Sequence, residues 1–137
     1  MSVTAEALIT APEVSPSLRT WERALIWVIF ALGVFGLFGF PYAAGTTWQA
    51  VLELTRTGAL PIIGFVPPIV FFIGTTLLFF RRKAATFWIG LHIPLAVAYL
   101  SSRYGIGSIS TFWWFGYLCE ALMVGFCIRL WARGALK

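Results

Sequence analysis

Four runs of apolar residues, each about 18–22 residues long, alternate with short polar segments along the chain. A run of that length covers a hydrocarbon core of roughly 30 Å as a helix, so each run predicts a membrane-crossing helix. The first covers about 20–42, with Thr20 placed to cap it, Glu22 in its first turn, and Pro41 and Gly45 to end it. The second covers 61–80, with Pro61 suited to a first turn and Pro67 and Pro68 expected inside the helix as kinks. Thr75 and Thr76 can bond back to their own turn or across to a neighbour. The third covers 84–101 with Pro94 inside it, and the fourth covers 111–131. Between the first two, residues 46–58 repeat Trp48, Val51, Leu52 and Thr55 at helical spacing and stop at Gly58. That pattern fits a short amphipathic helix lying at an interface, or an ordinary polar loop.

The expected fold class is therefore all-α: an integral membrane four-helix bundle with a possible short interfacial helix in the first external loop. Residues 1–19 are polar and read as a cytoplasmic tail, and 20–137 as a single transmembrane domain. The first run starts too late and runs too long for a secretory signal, although Ala43 and Ala44 could mimic a cleavage site. The two hairpins share an orientation, but their sequences show no repeat.

Charge supplies the orientation. Arg19, Arg23, Arg81, Arg82, Lys83, Arg129, Arg133 and Lys137 fall on one side, and only Arg56 and Arg103 on the other. The positive-inside rule puts both termini and the 81–83 turn in the cytoplasm, as in a bacterial inner membrane. Trp21, Trp88 and Trp131 gather on that side; Tyr42, Trp48, Tyr99, Tyr104, Trp113 and Trp114 gather on the other.

Composition agrees: 60% of residues are hydrophobic and 11% charged, about half the charged share of a soluble domain. The net charge of +5 sits at span ends and forms no nucleic-acid-binding stripe, so no nucleic-acid partner is expected. The lipid bilayer is the first partner, and a membrane protein or a second copy of the chain the next. Cys119 and Cys127 lie eight residues apart on one helix, too far for a disulfide, and form no redox or metal motif. The chain has no Asp, which argues against magnesium–phosphate chemistry. No catalytic residues and no metal site are assigned.

Two ionisable residues lie deep in the spans, His92 and Glu120. His92 is nine residues beyond Lys83, and Glu120 nine residues before Arg129, so both sit about 13 Å from the same boundary. Consecutive helices are usually neighbours, so an imidazole and a carboxyl meet at matching depth near the midplane. A membrane carboxylate costs on the order of 3 kcal/mol unless protonated, paired or watered. The simplest relief is a shared proton or hydrogen bond. Such a pair can carry protons, or can only fix helix register. A haem or chlorophyll-type pigment at His92 would need a second ligand from elsewhere, because the chain has no other His and, beyond the tail, only Met123.

Gly33, Gly36 and Gly39 on the first helix and Gly116 on the fourth are candidates for close helix crossings. Bulky Leu118, Leu122 and Phe126 are expected to face lipid. Three function classes fit. The first is an accessory or anchoring subunit of a larger membrane complex, the second a small proton-coupled transporter acting as a homo-oligomer, and the last a membrane enzyme. The plan of four short helices with one membrane carboxyl is similar to that of the small multidrug exporters. Their essential carboxyl lies in the first helix, however, whereas this chain's first helix has no acid after Glu22.

Overall fold

A computed structural model describes residues 17–39, 47–58, 65–108 and 111–137. These residues are helical, with no strand among them. Helix α1 runs Thr20–Val34 and continues as a π-helical turn, Phe35–Gly39. Helix α2 is Trp48–Arg56, α3 is Val66–Phe79, α4 is Ala84–Tyr104, and α5 is Thr111–Ala132. A 3₁₀ turn, Ile106–Ser108, follows α4. Three segments, Thr20–Gly39, Ala84–Ser102 and Trp113–Ala132, are long and apolar enough to cross a membrane. They mark an integral, multi-pass membrane protein. The shorter apolar helix is α3. The expectations for 1–16, Pro41, Tyr42, Ala43, Ala44, Gly45 and Pro61 lie outside the described residues.

The helices form a chain of neighbours: α1 packs on α3, α3 on α4, and α4 on α5. Each contributes one stripe to the core. On α1 it is Glu22, Ile26, Ile29 and Gly33, spaced four, three and four residues apart. On α4, Ala85, Ile89 and Ala96 are buried, and on α5, Tyr117, Cys127 and Leu130. Leu118 and Leu122 face outward as expected. Phe126 does not: it packs against the core, with its ring 6.0 Å from Trp21.

Several local expectations are corrected. Arg19, not Thr20, is the N-cap of α1, and its N–H donates to Glu22 Oε2 at 2.8 Å. Pro67 and Pro68 occupy the first turn of α3, where a missing N–H removes no helical bond, so they start the described helix and do not kink it. Pro94 does lie inside α4. Thr75 donates to the Phe72 carbonyl, whereas the buried Thr76 hydroxyl has no partner among the described residues.

The amphipathic segment is a helix. Thr47 caps α2 by accepting from the Ala50 N–H, and Gly58 follows it with φ +76°. The Trp48 indole donates to the Phe38 carbonyl in the π-turn at 3.0 Å, tying α2 across the end of α1.

Glycine decides two crossings. A Cβ on Gly33 would fall 2.0 Å from Thr75 Oγ1, and one on Gly74 would fall 2.8 Å from the Ile89 backbone nitrogen. The expectation for the other glycines changes. Gly36 and Gly116 face open space, and a Cβ on Gly39 would meet only Phe35 of its own helix.

The segment after α5 is not a free basic tail. Ala135 and Leu136 are buried. The Lys83 N–H donates to the Lys137 carbonyl at 2.8 Å, and the Lys137 N–H to the Arg81 carbonyl at 2.7 Å. Gly134, at φ +69°, ends α5 with the Ala135 N–H returning to Leu130. Arg81 ends α3 in the same left-handed conformation, φ 58°, and its guanidinium donates to the Ala135 carbonyl at 2.9 and 3.0 Å.

Candidate functional site: an intramembrane histidine–carboxylate pair

The site is built from two antiparallel stripes. On α4, Ala85, Ile89, His92 and Ala96 succeed one another at helical spacing, and three of the four are buried apolar residues. On α5, Glu120 lies between Tyr117 and Cys127, both buried. Packing α4 on α5 sets the two polar side chains opposite each other. His92 Nδ1 and Glu120 Oε2 are 2.7 Å apart. That is the length of a charge-assisted hydrogen bond, an ion pair if the imidazole is protonated. The His92 and Glu120 side chains retain 12% and 15% of their exposure, so the pair is shielded without being sealed. The Phe71 ring of α3 stands 5.0 Å from the imidazole and walls one side.

Chemically the pair can share, accept or release one proton. The contact uses one nitrogen and one oxygen and leaves His92 Nε2 and Glu120 Oε1 for a further partner. One turn before Glu120, the buried Tyr117 hydroxyl has no hydrogen-bond partner among the described residues. No group of three or more His, Cys, Asp or Glu that could hold a metal is present among the described residues. Cys119 and Cys127 are both free thiols.

A second ionic contact went unanticipated. Glu22 is fully buried at the start of α1, and Arg133, just past α5, donates to its Oε1. Nearby, the Arg129 guanidinium lies 5.5 Å from the centre of the Trp21 ring. The signal was present in the spacing, because Glu22 heads the Ile26, Ile29 and Gly33 stripe that turns inward. Its partner is 111 residues away, which no local pattern reveals.

Comparison with protein-family models, with curated proteins and with solved structures returned no match for this chain.

Proposed function

We propose that this protein is an accessory or anchoring subunit of a larger complex in a bacterial inner membrane. In this reading four helices cross the bilayer, and both termini lie in the cytoplasm beside the 81–83 turn. Support for the orientation comes from the basic residues, which crowd one end of the helices. The observation that carries the functional reading is the outer face of α5. Trp114, Leu118, Ala121, Gly125, Ile128 and Ala132 recur at heptad spacing, and all are exposed. A Cβ on Gly125 would meet nothing within 4 Å. In lipid, helices associate where small residues let backbones approach, and Ala121 and Gly125 supply such a pair, four residues apart, on a face that no described helix covers. The ionisable groups support the same reading: His92 and Glu120 close on each other, so neither presents an isolated charge to a substrate path.

Native purification with mass spectrometry tests this. A stoichiometric larger membrane protein should accompany the chain. The double substitution Ala121→Leu with Gly125→Leu should release it while the chain stays folded. A pure homo-oligomer that ignores both substitutions would overturn the proposal.

The partial exposure of the His92–Glu120 pair favours a second reading, proton-coupled transport by a homo-oligomer. Glu120→Gln separates the two. A transporter loses proton-coupled flux while remaining folded, whereas a subunit loses stability or assembly instead. If the pair is structural, His92→Ala with Glu120→Ala should cost less than the sum of the single changes, with a coupling of about 0.5–3 kcal/mol.

A further inference from the structure

We propose that the outer face of α1 is a binding site for one anionic phospholipid, with its phosphate at Arg23 and one acyl chain along the groove above. The groove is a shallow, open depression that runs from Trp27 to Gly39 and is lined by apolar residues only, among them Phe30, Ala31, Val34 and Phe38. Twelve residues of helix give it a length of about 18 Å, close to half the thickness of a hydrocarbon core of roughly 30 Å.

The occupant follows from the walls and from the two ends. Trp27 and Phe38 stand well exposed, and such bulky rings hold a second helix backbone away, whereas a flexible chain can follow them. This is the opposite of the α5 face with its Ala121 and Gly125. At the foot of the groove, Arg23 lies one turn before Trp27 on the same face and is exposed. On the adjoining helix, Phe79 packs its ring 4.7 Å from Trp27 and 4.8 Å from Phe30. Exposed Arg82 follows three residues later. Among the described residues the one acidic side chain at this end is Glu22, which is buried and engaged by Arg133. No acidic side chain among the described residues therefore pairs with the two arginines. At the far end, the Trp48 indole donates to the carbonyl of Phe38, a residue of the groove wall. One end bears cations, and the body is apolar. An anionic phosphodiester headgroup with a single docked chain satisfies both.

The test uses the full chain, delipidated in detergent and supplied with phosphatidylglycerol or phosphatidylcholine, with native mass spectrometry counting the lipid retained. Phosphatidylglycerol should be retained preferentially, one per chain. Arg23→Gln with Arg82→Gln should weaken that retention by roughly fivefold per arginine and weaken retention of phosphatidylcholine, whose ammonium offsets its phosphate, by less. Ala31→Trp, at an exposed position inside the groove, should reduce retention of both lipids. Arg56→Gln, on α2, should change nothing. Equal retention of the two lipids would overturn the proposal, as would indifference to the arginine substitutions. Loss of selectivity with no effect of Ala31→Trp would overturn the groove as the seat of the chain. A shift from dimer to monomer on Ala31→Trp, at constant lipid count, would assign the groove to a second copy instead.

Discussion

Gly74 and Gly33 show how much a single missing methyl group can decide. Both sit where two helices touch, yet what a new Cβ would strike differs. At Gly33 the obstacle is the Thr75 side chain; at Gly74 it is the Ile89 backbone nitrogen and the Trp88 carbonyl carbon. A side chain can rotate, although Thr75 would surrender its bond to Phe72. A backbone must move as a helix. Gly74→Ala is therefore expected to destabilise by about 3 kcal/mol or more and Gly33→Ala by about 1–3 kcal/mol. Gly116→Ala should be neutral or slightly stabilising through helix propensity. Thermal unfolding in detergent checks the order Gly74, Gly33, Gly116, and an equal response at all three would contradict the crossings described. The sequence pointed at Gly33 and missed Gly74 for a physical reason. Helices that are apolar all round carry no amphipathic phase, so the inward side of α3 and α5 is not legible from hydrophobicity alone. His92 and Glu120 were legible because charge in lipid is costly enough to single them out.

Among the elements, the apolar spans were readable because lipid demands both length and apolarity of any crossing helix. Boundaries were less so. Pro67 and Pro68 mean a kink if the helix begins well before them and a favourable start if it begins at Val66, and only the structure distinguishes the two. Helix α2 shows the converse. Its pattern fitted helix and loop alike, and what resolves it is the Thr47 cap, the Trp48 bond to Phe38 and burial of Val51. The cap is the most local of these. Thr47→Ala should lower the local stability of Trp48–Arg56 by about 0.5–2 kcal/mol. Amide exchange over 48–56 should quicken accordingly, with α4 unaffected. Unchanged exchange would mean that α2 is held by its indole bond and not by its cap.

Over the whole molecule, the segment after α5 changes the picture most. ARGALK is a short basic segment, and nothing in its composition foretells that Ala135 and Leu136 enter the core. Their burial depends on the paired backbone at Arg81 and Lys83 and on the Arg133–Glu22 contact, all remote in sequence. The two partners of that contact are unequal, since Glu22 is fully buried and the Arg133 side chain retains 31% of its exposure. Removing Arg133 strands a covered carboxylate, whereas removing Glu22 leaves a guanidinium that can turn to water. Arg133→Gln should therefore cost more than Glu22→Gln, by about 1–3 kcal/mol. Leu136→Ala should cost about 2 kcal/mol or more. Unfolding midpoints give both comparisons, and equal losses for Arg133→Gln and Glu22→Gln would contradict the asymmetry.

The same clasp sets an order on assembly. Residues 133–137 leave the ribosome after every helix they fasten, so α1, α3 and α4 must first insert and meet without it. Until then the Glu22 carboxylate lacks its cation, and the polar backbone of the 81–83 turn remains open to water. Closure joins α1 to α5 and to the turn between α3 and α4. It thereby ties these elements at one end, so α1 leaves α5 there only after the Arg133–Glu22 contact opens.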